Sequence, residues 1–358
     1  MSSILYYITG HGYGHAIRAG QVIASLQQKR PKVEVHIRTT APEWLFATFA
    51  SHTPQAIDVG IVQSDSLNMD LERTFRACRN LHDKLPEIIQ KEISFIRQAN
   101  VRLIIGDIPP LCFEIAELAG IPSIAVTNFT WDWIYRSYLD ALPPLLSVIE
   151  AMETFYSKAT LALSLPYACP LPLFKRRKNI PWITRVSSLT KEQAREKFAL
   201  PEFAPVVLLS FGGLGLAQFP LKSLAKLQEF FFVATGSRKE VKDNLVILPA
   251  AQQHYEDLVR AADVVVTKPG YGIVADVIAH QVPILYTDRS DFPEYPLLVS
   301  ALKQLTTAEF LPRADLLAGE LRHYLQRLLA KEPNWPPAPI NGAEIAAGEI
   351  LKEMDRER

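Results

Sequence analysis

Short apolar runs alternate with amphipathic segments along the first half of the chain. Unbroken apolar runs are typical of buried parallel strands, and apolar residues spaced three or four positions apart are typical of helices. The predicted strands are 3–9, 32–39, 56–62, 101–106, 122–127 and 160–165. The predicted helices are 15–29, 42–50, 71–100 with a break at Pro86, 109–119, and 131–156 with a break at Pro143–Pro144. Because strands alternate with helices, we expect a parallel sheet covered by helices on both faces.

The second half of the chain repeats this alternation. Its predicted strands are 205–210, 230–235, 245–248, 263–267 and 282–287, and its predicted helices are 191–198, a helix within 221–226, 251–261, 273–280, 297–303 and 313–330. The sequence therefore predicts the α/β class, with two doubly wound, Rossmann-like domains facing each other across a cleft.

Proline-rich stretches divide the chain into the expected domains. The expected divisions are a first domain 1–165, a linker 166–189, a second domain 190–332, and a C-terminal segment 333–358. The last predicted helix, 342–353, lies in that segment, and its packing against the first domain is one hypothesis.

The composition limits the class of binding partner and the cellular compartment that we expect. Lysine plus arginine and aspartate plus glutamate both number 38, so we expect no nucleic-acid partner. Cys78, Cys112 and Cys169 have neither metal-ligand spacing nor the even number of a disulfide framework. The first residues lack the basic region of a signal peptide, and no apolar run has the length of a membrane span. We therefore expect a globular protein of the reducing cytoplasm.

The loop TGHGYGH after the first predicted strand partly matches the dinucleotide-binding pattern G-x-G-x-x-G. Gly10 and Gly12 occupy the first two glycine positions, but His15 occupies the third. The next strand ends in Arg38 and two threonines, without the acidic residue that holds an adenosine ribose. The pattern therefore argues against an NAD site, and an NADP site with Arg38 on the phosphate is a weaker alternative.

His15 at the start of the first predicted helix is the first candidate for a general base. The positive end of the helix dipole disfavours a protonated imidazole, and a neutral imidazole can take the proton of a hydroxyl. The alternative is a helix-start residue that hydrogen-bonds the loop backbone. Since parallel strands end at one edge of the sheet, Asp107 and Asn128 should share the cleft with His15. Asp107 is the second candidate base, or a carboxylate that orients the imidazole.

A second glycine turn precedes the predicted helix 273–280. Gly270 and Gly272 allow close approach of a ligand to the backbone, and the helix start offers N–H groups to a phosphate. Asp276, one turn inside the helix, can accept hydrogen bonds from sugar hydroxyls. Together they suggest a nucleotide site, with the diphosphate on the turn and the ribose on Asp276. The alternative is an ordinary turn in a parallel sheet, with Asp276 as a solvated residue.

Two further segments carry candidate chemistry. Trp131 begins a helix beside Asn128, where its ring either stacks on an acceptor sugar or anchors the core. The basic residues 175–178 are either solvated surface or a contact for acidic headgroups or a phosphorylated acceptor. Because Leu142–Met152 is apolar and could approach a bilayer together with this basic run, a lipid-linked acceptor and peripheral membrane contact stay open.

These motifs together resemble the GT-B glycosyltransferases. The stretch NLVILPAAQQHYEDLVRAADVVVTKPGYGIVADVIAHQVPILY is similar to the donor domain of the N-acetylglucosaminyltransferase that completes the lipid-linked peptidoglycan precursor. The segments YYITGHGYGHAIRAGQVI, GIPSIAVTNFTWDWIY and DRSDFPEYP resemble the glycosyltransferase-like N-terminal part of plant arabinokinases. The resemblance covers most of residues 3–305 and does not include the sugar-kinase half of those proteins, so it implies no kinase activity.

The resemblance implies that the first domain binds the acceptor and that the second domain binds a nucleoside diphosphate sugar. The donor residues implied are Phe211, Gly212, Gly213, Gly270, Tyr271 and Gly272 for the diphosphate, Leu248 and Pro249 for a uracil base, Asp276 for the ribose, and Asp291 and Glu294 for the sugar. The family usually has Glu at the position of Asp276. The candidate acceptor residues are His11, Gly12, Gly14, Asn128, Trp131 and Asp132, with His15 and Asp107 as the catalytic pair.

We therefore expect a glycosyltransferase that needs neither a metal nor another cofactor and that uses a UDP-sugar donor and an acceptor hydroxyl of unknown identity. Glycine turns and helix ends would meet the charge of the leaving diphosphate. Two other classes stay open. A nucleotide-sugar epimerase would need additional acid/base carboxylates, and a nucleotide-sugar sensor would bind the donor without transfer.

Overall fold

The structure is a computed structural model that describes residues 3–46, 51–62, 69–211, 221–249, 254–289 and 291–356. The chain divides into two compact units. The first unit consists of Met1–Ile183 together with Pro339–Arg358, and the second consists of Thr184–Ala338. Each unit is built around its own sheet, which confirms the predicted α/β class.

Alternating strands and helices build the first unit up to Ile183. The strands are β1 (Ser3–Ile8), β2 (Glu34–Thr39), β3 (Ser51–Pro54), β4 (Val101–Asp107), β5 (Ser123–Thr127), β6 (Leu161–Ser164) and β7 (Arg177–Asn179). The helices are α1 (Tyr13–Lys29), α2 (Leu71–His82), α3 (Leu85–Gln98), α4 (Leu111–Ala119), α5 (Trp131–Arg136) and α6 (Leu145–Tyr156), with a 3-10 turn at Glu43–Leu45.

The first sheet is parallel, with β1 near its centre. Its strand order among the described residues is β3-β2-β1-β4-β5-β6-β7. Every residue of β1 is buried, as its unbroken apolar run predicts. Because the strands run parallel, the ends of β1, β4 and β5 lie side by side and bring the glycine loop, Asp107 and Asn128 to one edge of the sheet.

The second unit has the same plan. Its strands are β8 (Val206–Ser210), β9 (Phe231–Gly236), β10 (Glu240–Lys242), β11 (Leu245–Pro249), β12 (Val264–Thr267), β13 (Ile284–Tyr286) and β14 (Ala308–Phe310). Its helices are α7 (Lys191–Lys197), α8 (Leu221–Leu224), α9 (Tyr255–Ala261), α10 (Tyr271–His280), α11 (Tyr295–Leu305), α12 (Arg313–Ala318) and α13 (Arg322–Leu329).

The second sheet carries the hydrophobic core of its unit. Its strand order among the described residues is β10-β11-β9-β8-β12-β13-β14, with only the β10–β11 pair antiparallel. Buried side chains of β8, β9 and β12 pack against α8 and α13 in one cluster. Helix α7 begins with a capping box, in which Thr190 and Gln193 exchange hydrogen bonds with each other's backbone N–H. The helix therefore starts one residue after the Thr190 cap, as the sequence predicts.

The last helix, α14 (Gly342–Met354), packs on α1 in the first unit. The backbone of Trp182 leads into this contact, because its N–H donates to Pro339 O at 3.1 Å and its carbonyl accepts from Gly342 N at 3.0 Å. A Cβ on Gly342 would lie 2.2 Å from Pro181 O, so only glycine fits where the two segments meet. Arg30 at the end of α1 pairs with Asp355 through two hydrogen bonds of 2.8 and 2.5 Å.

The structure differs from the sequence prediction at one strand. The segment expected as a linker belongs partly to the first unit and partly to the second. The third strand of the first half is Ser51–Pro54 and not 56–62. In 56–62 the N–H groups of Ile61 and Val62 donate to the side chains of His11 and Thr74, so these groups do not pair with a neighbouring strand. The segment 166–189 contributes β7 to the first sheet, and the chain enters the second unit at Thr184.

Candidate active site

The glycine loop between β1 and α1 forms a sharp turn at the carboxyl edge of the first sheet. Gly12 caps α1 with φ 81° and ψ 165°, a backbone conformation that residues with a Cβ rarely adopt. Its N–H donates to Gly10 O at 3.0 Å. Gly14 is the second residue of α1, and His15 is the third. The turn therefore places His15 in the first turn of α1, beside the end of β4.

His15 and Asp107 are in direct contact. His15 Nδ1 lies 2.7 Å from Asp107 Oδ1, and the His15 residue is 9% exposed while Asp107 is fully buried. Burial alone would raise the pKa of the Asp107 carboxyl, but the charges and hydrogen bonds of Arg18 and His15 outweigh burial and lower this pKa. The ring of Phe129 approaches the imidazole edge-on at 5.7 Å between centroids. The arrangement is that of an imidazole oriented by an ionised carboxylate.

Arg18 joins this pair to Asn128. Arg18 Nε and Nη2 each donate to one oxygen of Asp107 at 2.5 Å, and Nη1 donates to Asn128 Oδ1 at 2.7 Å. The structure thus brings the predicted residues His15, Asp107 and Asn128 together through an arginine to which the sequence reasoning gave no role. The signal was present, since Arg18 is a charged residue among the buried residues Ala16, Ala19, Val22 and Ile23 of α1.

Asp58 is a second carboxyl that the sequence reasoning missed. It follows β3, and its Oδ2 accepts a hydrogen bond of 2.9 Å from Trp131 Nε1. Burial raises the pKa of Asp58, while hydrogen bonds from Thr9 and Trp131 and the nearby His15 oppose this rise. Its sequence signal was an acidic residue in an apolar segment that predicted a strand. A half-buried carboxyl with a raised pKa near a histidine is typical of functional sites.

The structure corrects the expectation that the Trp131 ring stacks on an acceptor. The Trp131 side chain is 0% exposed, and its ring contacts His11 and Phe129 edge-on, each at 5.2 Å between centroids. It is a core anchor, because no ring face is open to a ligand. Asp132 is buried in the first turn of α5, and burial raises the pKa of its carboxyl.

His11 is held by the backbone of the segment after β3. Its Nδ1 accepts a hydrogen bond of 3.4 Å from Ile61 N, so the ring proton of a neutral His11 lies on Nε2. His11, Gly12 and Gly14 are the residues of the predicted acceptor set that are not fully buried.

The turn before α10 has the expected geometry in the second unit. Gly270 is the N-cap in an extended conformation, and among the described residues no side chain caps the helix start. Tyr271 and Gly272 are the first two residues of α10, so their N–H groups lie at the helix start, before the first hydrogen bond within the helix, from Val274 N to Gly270 O. The helix is ten residues long and carries the partial positive charge of a helix start at this end.

Asp276 has protein partners on both carboxylate oxygens. Thr184 Oγ1 donates to Oδ1 at 2.8 Å, and Arg185 Nη2 donates to Oδ2 at 2.9 Å. The Asp276 residue is 3% exposed, which overturns the alternative of a solvated helix residue. A ribose on this carboxylate would have to share it with Thr184 and Arg185, or displace one of them.

The loop after β13 carries an ion pair between the half-buried Arg289 and the buried Glu294. Arg289 Nη1 donates to Glu294 Oε2 at 2.7 Å, and its guanidinium lies 4.0 Å from the centroid of the Phe292 ring. The same Nη1 lies 3.4 Å from Pro269 O, so this cation is beside the turn before α10. Glu294 is buried and Asp291 is exposed. Of the two residues expected to contact the donor sugar, Glu294 therefore already binds a cation.

The remaining predicted donor residues lie at strand ends. Phe211 is buried directly after β8, and Leu248 and Pro249 are the last residues of β11. Gly212 and Gly213 lie outside the described residues. The ends of β8, β11 and β12 belong to the carboxyl edge of the second sheet, where ligands of doubly wound sheets bind.

Two other sequence hypotheses concern metals and membranes. Within the described ranges, no group of three or more His, Cys, Asp and Glu side chains is placed to hold a metal ion. In the basic run, Arg176 and Lys178 pair with Glu353 and Glu349 of α14 at 3.2 and 2.8 Å, so two of its four charges are engaged within the unit. Among the residues that the structure covers, no helix is long and apolar enough to cross a membrane.

The first half of the chain matches a family model, and nearly the whole chain matches a curated relative. Residues 2–167 match the model of glycosyl transferase family 1. The chain is 30% identical to the L-arabinokinase of Arabidopsis thaliana over 97% of its own length and 34% of that protein, so it spans about a third of this curated relative.

Solved structures share the fold of the whole chain. MurG of Acinetobacter baumannii has a TM-score of 0.59 at 14% identity, covering 98% of this chain and 99% of its own. UGT2 of Phytolacca americana, solved with UDP-2-fluoroglucose and pterostilbene, has a TM-score of 0.63 at 14% identity, covering 99% of this chain and 94% of its own. These likenesses show that the chain has the two-sheet α/β fold of these proteins, the GT-B fold.

Proposed function

We propose that this protein transfers a sugar from a UDP-sugar to a hydroxyl of its acceptor, with His15 as the general base. The observation that carries the proposal is the 2.7 Å contact between His15 Nδ1 and Asp107 Oδ1 at the carboxyl edge of the first sheet. In this step the acceptor oxygen forms a bond to the anomeric carbon of the donor. The bond from that carbon to the diphosphate breaks, UDP leaves with the electron pair, and His15 takes the acceptor proton.

The second unit supplies groups for the donor in this proposal. The N–H groups at the start of α10 and the Arg289 guanidinium stabilise the charge that develops on the leaving diphosphate. The backbone at Leu248 and Pro249 contacts the uracil, and Asp276 contacts the ribose alongside Thr184 and Arg185. Because N–H dipoles and a guanidinium supply this stabilisation, the proposed transfer needs no metal ion.

The proposal identifies the donor by its base and its diphosphate, and the acceptor by its hydroxyl. The structural relative from Phytolacca americana was solved with a UDP-sugar analogue, which supports the choice of uridine. His11, Gly12 and Gly14 are proposed to contact the acceptor, because they lie beside His15 and are not fully buried. Lipid-linked hydroxyls belong in the acceptor screen.

Calorimetric titration with UDP, GDP, ADP, dTDP and NADPH tests the donor assignment. We expect saturable binding of UDP, weaker binding of the other nucleoside diphosphates, and the same UDP affinity with and without EDTA. Binding of NADPH alone would contradict the proposal in favour of an oxidoreductase. A UDP affinity that disappears in EDTA would contradict the metal-free donor site, and no binding of any nucleotide would contradict the UDP-sugar assignment.

A further inference from the structure

Arg18 is a buried guanidinium that holds the side chains of Asp107 and Asn128 in fixed positions. It is 3% exposed, lies one helical turn after His15 on α1, and donates to both oxygens of Asp107. Its third hydrogen bond goes to Asn128. A guanidinium with this bidentate geometry orients a carboxylate much more strictly than a single hydrogen bond does.

The distances determine which imidazole nitrogen carries the proton. Asp107 is ionised and can only accept, so the 2.7 Å distance from His15 Nδ1 to Asp107 Oδ1 requires a hydrogen on Nδ1. Arg18 Nη2 can only donate and directs one of its two hydrogens to Asp107 Oδ1 at 2.5 Å, so its 3.0 Å approach to the protonated Nδ1 is a contact between two donors. Two donors therefore converge on one carboxylate oxygen, and the lone pair of a neutral His15 lies on Nε2.

The charge of Arg18 also changes what Asp107 does to the imidazole. A lone carboxylate beside a histidine stabilises the doubly protonated imidazolium, which cannot act as a base. Here the Arg18 guanidinium neutralises the Asp107 carboxylate, so the Arg18–Asp107 pair has no net charge. In the described part of the first unit, the other titratable groups that face this cluster are Asp58, after β3, and Tyr6, on β1.

We propose that Arg18 is a positioning residue that offsets the charge of Asp107 at His15 and fixes the tautomer with the proton on Nδ1 and the lone pair on Nε2. The inference deepens the proposed function, on which its catalytic meaning rests, because only this form of the imidazole can accept the acceptor proton at Nε2. Arg18 itself does not contact the reacting atoms in this account. Its effect is exerted through Asp107 and His15.

Nitrogen NMR of the ¹⁵N-labelled histidine rings tests this inference without a donor or an acceptor. The His15 signals are identified by their loss in His15→Gln. In the wild type at neutral pH we expect the Nδ1–H tautomer. In Arg18→Met, the unpaired Asp107 carboxylate should shift the protonation curve of His15 to higher pH, with at least about a tenfold change in the protonation constant.

Two variants separate charge from general disruption. Arg18→Lys keeps the positive charge, so its protonation curve should stay within about threefold of the wild type. Arg30→Met removes an arginine from the other end of α1, where it pairs with Asp355 at the surface, and should leave the curve unchanged. Circular dichroism reports whether each variant is folded.

Three results would overturn the inference. The first is an Nε2–H tautomer in the wild type, which does not depend on Arg18→Met and therefore decides even if that variant does not fold. The second is a folded Arg18→Met whose His15 curve coincides with the wild type. The third is an Arg30→Met shift as large as that of Arg18→Met. Failure of the proposed transfer would leave all three readouts intact, so the two failures are distinguishable.

Discussion

Two carboxyl groups of the first unit, Asp107 and Asp58, are shifted in opposite directions by their surroundings. The pKa of Asp107 is lowered because Arg18 and His15 outweigh its burial, whereas burial raises the pKa of Asp58. Environments that separate the pKa values of neighbouring groups are typical of sites that use one charged and one neutral form. At the residue scale, the cluster around His15 therefore combines one carboxyl with a lowered pKa and one with a raised pKa.

The raised pKa of Asp58 predicts a pH-dependent effect of Asp58→Asn. A raised pKa in the folded state contributes stability below the unfolded value of about 3.9, and this contribution is lost as the pH rises through the folded pKa. Asparagine keeps an acceptor for Trp131 Nε1 but does not ionise. We therefore expect the melting temperature of Asp58→Asn, relative to the wild type, to increase between about pH 4 and pH 8.

Asp107→Asn is the control with the opposite sign. A lowered pKa contributes stability above about 3.9, and this contribution is lost as the pH falls through the folded pKa. Asp107→Asn should therefore be less stable than the wild type at pH 7, with a smaller difference in acid. Parallel pH profiles of the two variants, measured by calorimetric melting, would contradict the assigned shifts.

Asp276→Asn tests what the buried carboxylate of α10 does. The variant leaves the half-buried Arg185 beside Glu256 at 3.6 Å, without its closer partner. Removal of one partner from a buried pair costs about 3 kcal/mol at the low end of the usual range, so we expect the free energy of unfolding to fall by about this amount. Urea denaturation measures the loss, and Glu320→Gln, at an exposed acid of the same unit, is the matched control.

The UDP affinity of Asp276→Asn separates the two roles of this residue. A loss of stability with affinity retained would mean that Asp276 anchors Arg185 and does not hold the ribose. Unchanged stability with lost affinity would mean the reverse, and would contradict the ion pair as a stabilising contact.

At the scale of elements, the contact of α14 with α1 is built on close backbone approach and surface ion pairs. The charged pairs Lys29–Glu344 and Arg30–Asp355 are solvent-exposed and contribute little to stability. The buried residues Ala346, Ala347 and Ile350 carry the apolar contact. The close approach at Gly342 therefore controls how the helix enters this contact.

Two glycines of α14 give a matched pair of substitutions. Gly342→Ala would place a Cβ against the backbone oxygens of Pro181 and Trp182, so we expect a loss of about 1–3 kcal/mol in the free energy of unfolding. Gly348→Ala meets open space and should gain up to about 1 kcal/mol from helix propensity. Urea denaturation measures both, and equal effects of the two variants would contradict the packing of Gly342.

Most of the regular elements could be predicted because the apolar pattern determines them locally. Strands β1, β4 and β8 are buried runs, and the break at residues 83–84 between α2 and α3 follows from Pro86 at the start of α3. The short strands β7 and β10 could not be predicted this way, because every residue in them is exposed. They exist only through pairing with a neighbouring strand, which is information from the tertiary structure.

At the scale of the whole molecule, the candidate site was partly predictable from topology. Parallel strands end at one edge, so His15, Asp107 and Asn128 could be grouped before the structure was known. Arg18 and Asp58 are charged residues in apolar segments, which marks them in the sequence, but their partners could not be predicted because the charges meet only after folding. Trp131 and Asp276 have residue types suited to ligand binding, but the fold uses both in buried contacts.

The net charge of the chain is zero, with 38 basic and 38 acidic residues, so the long-range field does not select the ligand. Recognition must therefore come from local groups at the two sheet edges. The first unit contributes the histidine–carboxylate pair, and the second contributes a helix start with a nearby arginine. The central claim is that these local groups perform transfer, and that His15 is needed for the chemistry but not for binding the nucleotide.

The most direct test compares His15→Ala with the wild type in UDP binding and in UDP release from a panel of UDP-sugars with pooled hydroxyl acceptors. We predict an unchanged UDP affinity and a loss of about 10²–10⁴ in turnover. His323→Ala, at an exposed histidine of α13, should change neither quantity. Full turnover in His15→Ala would contradict the role of His15 as the base, and a wild type that binds UDP-sugars without releasing UDP would contradict catalysis.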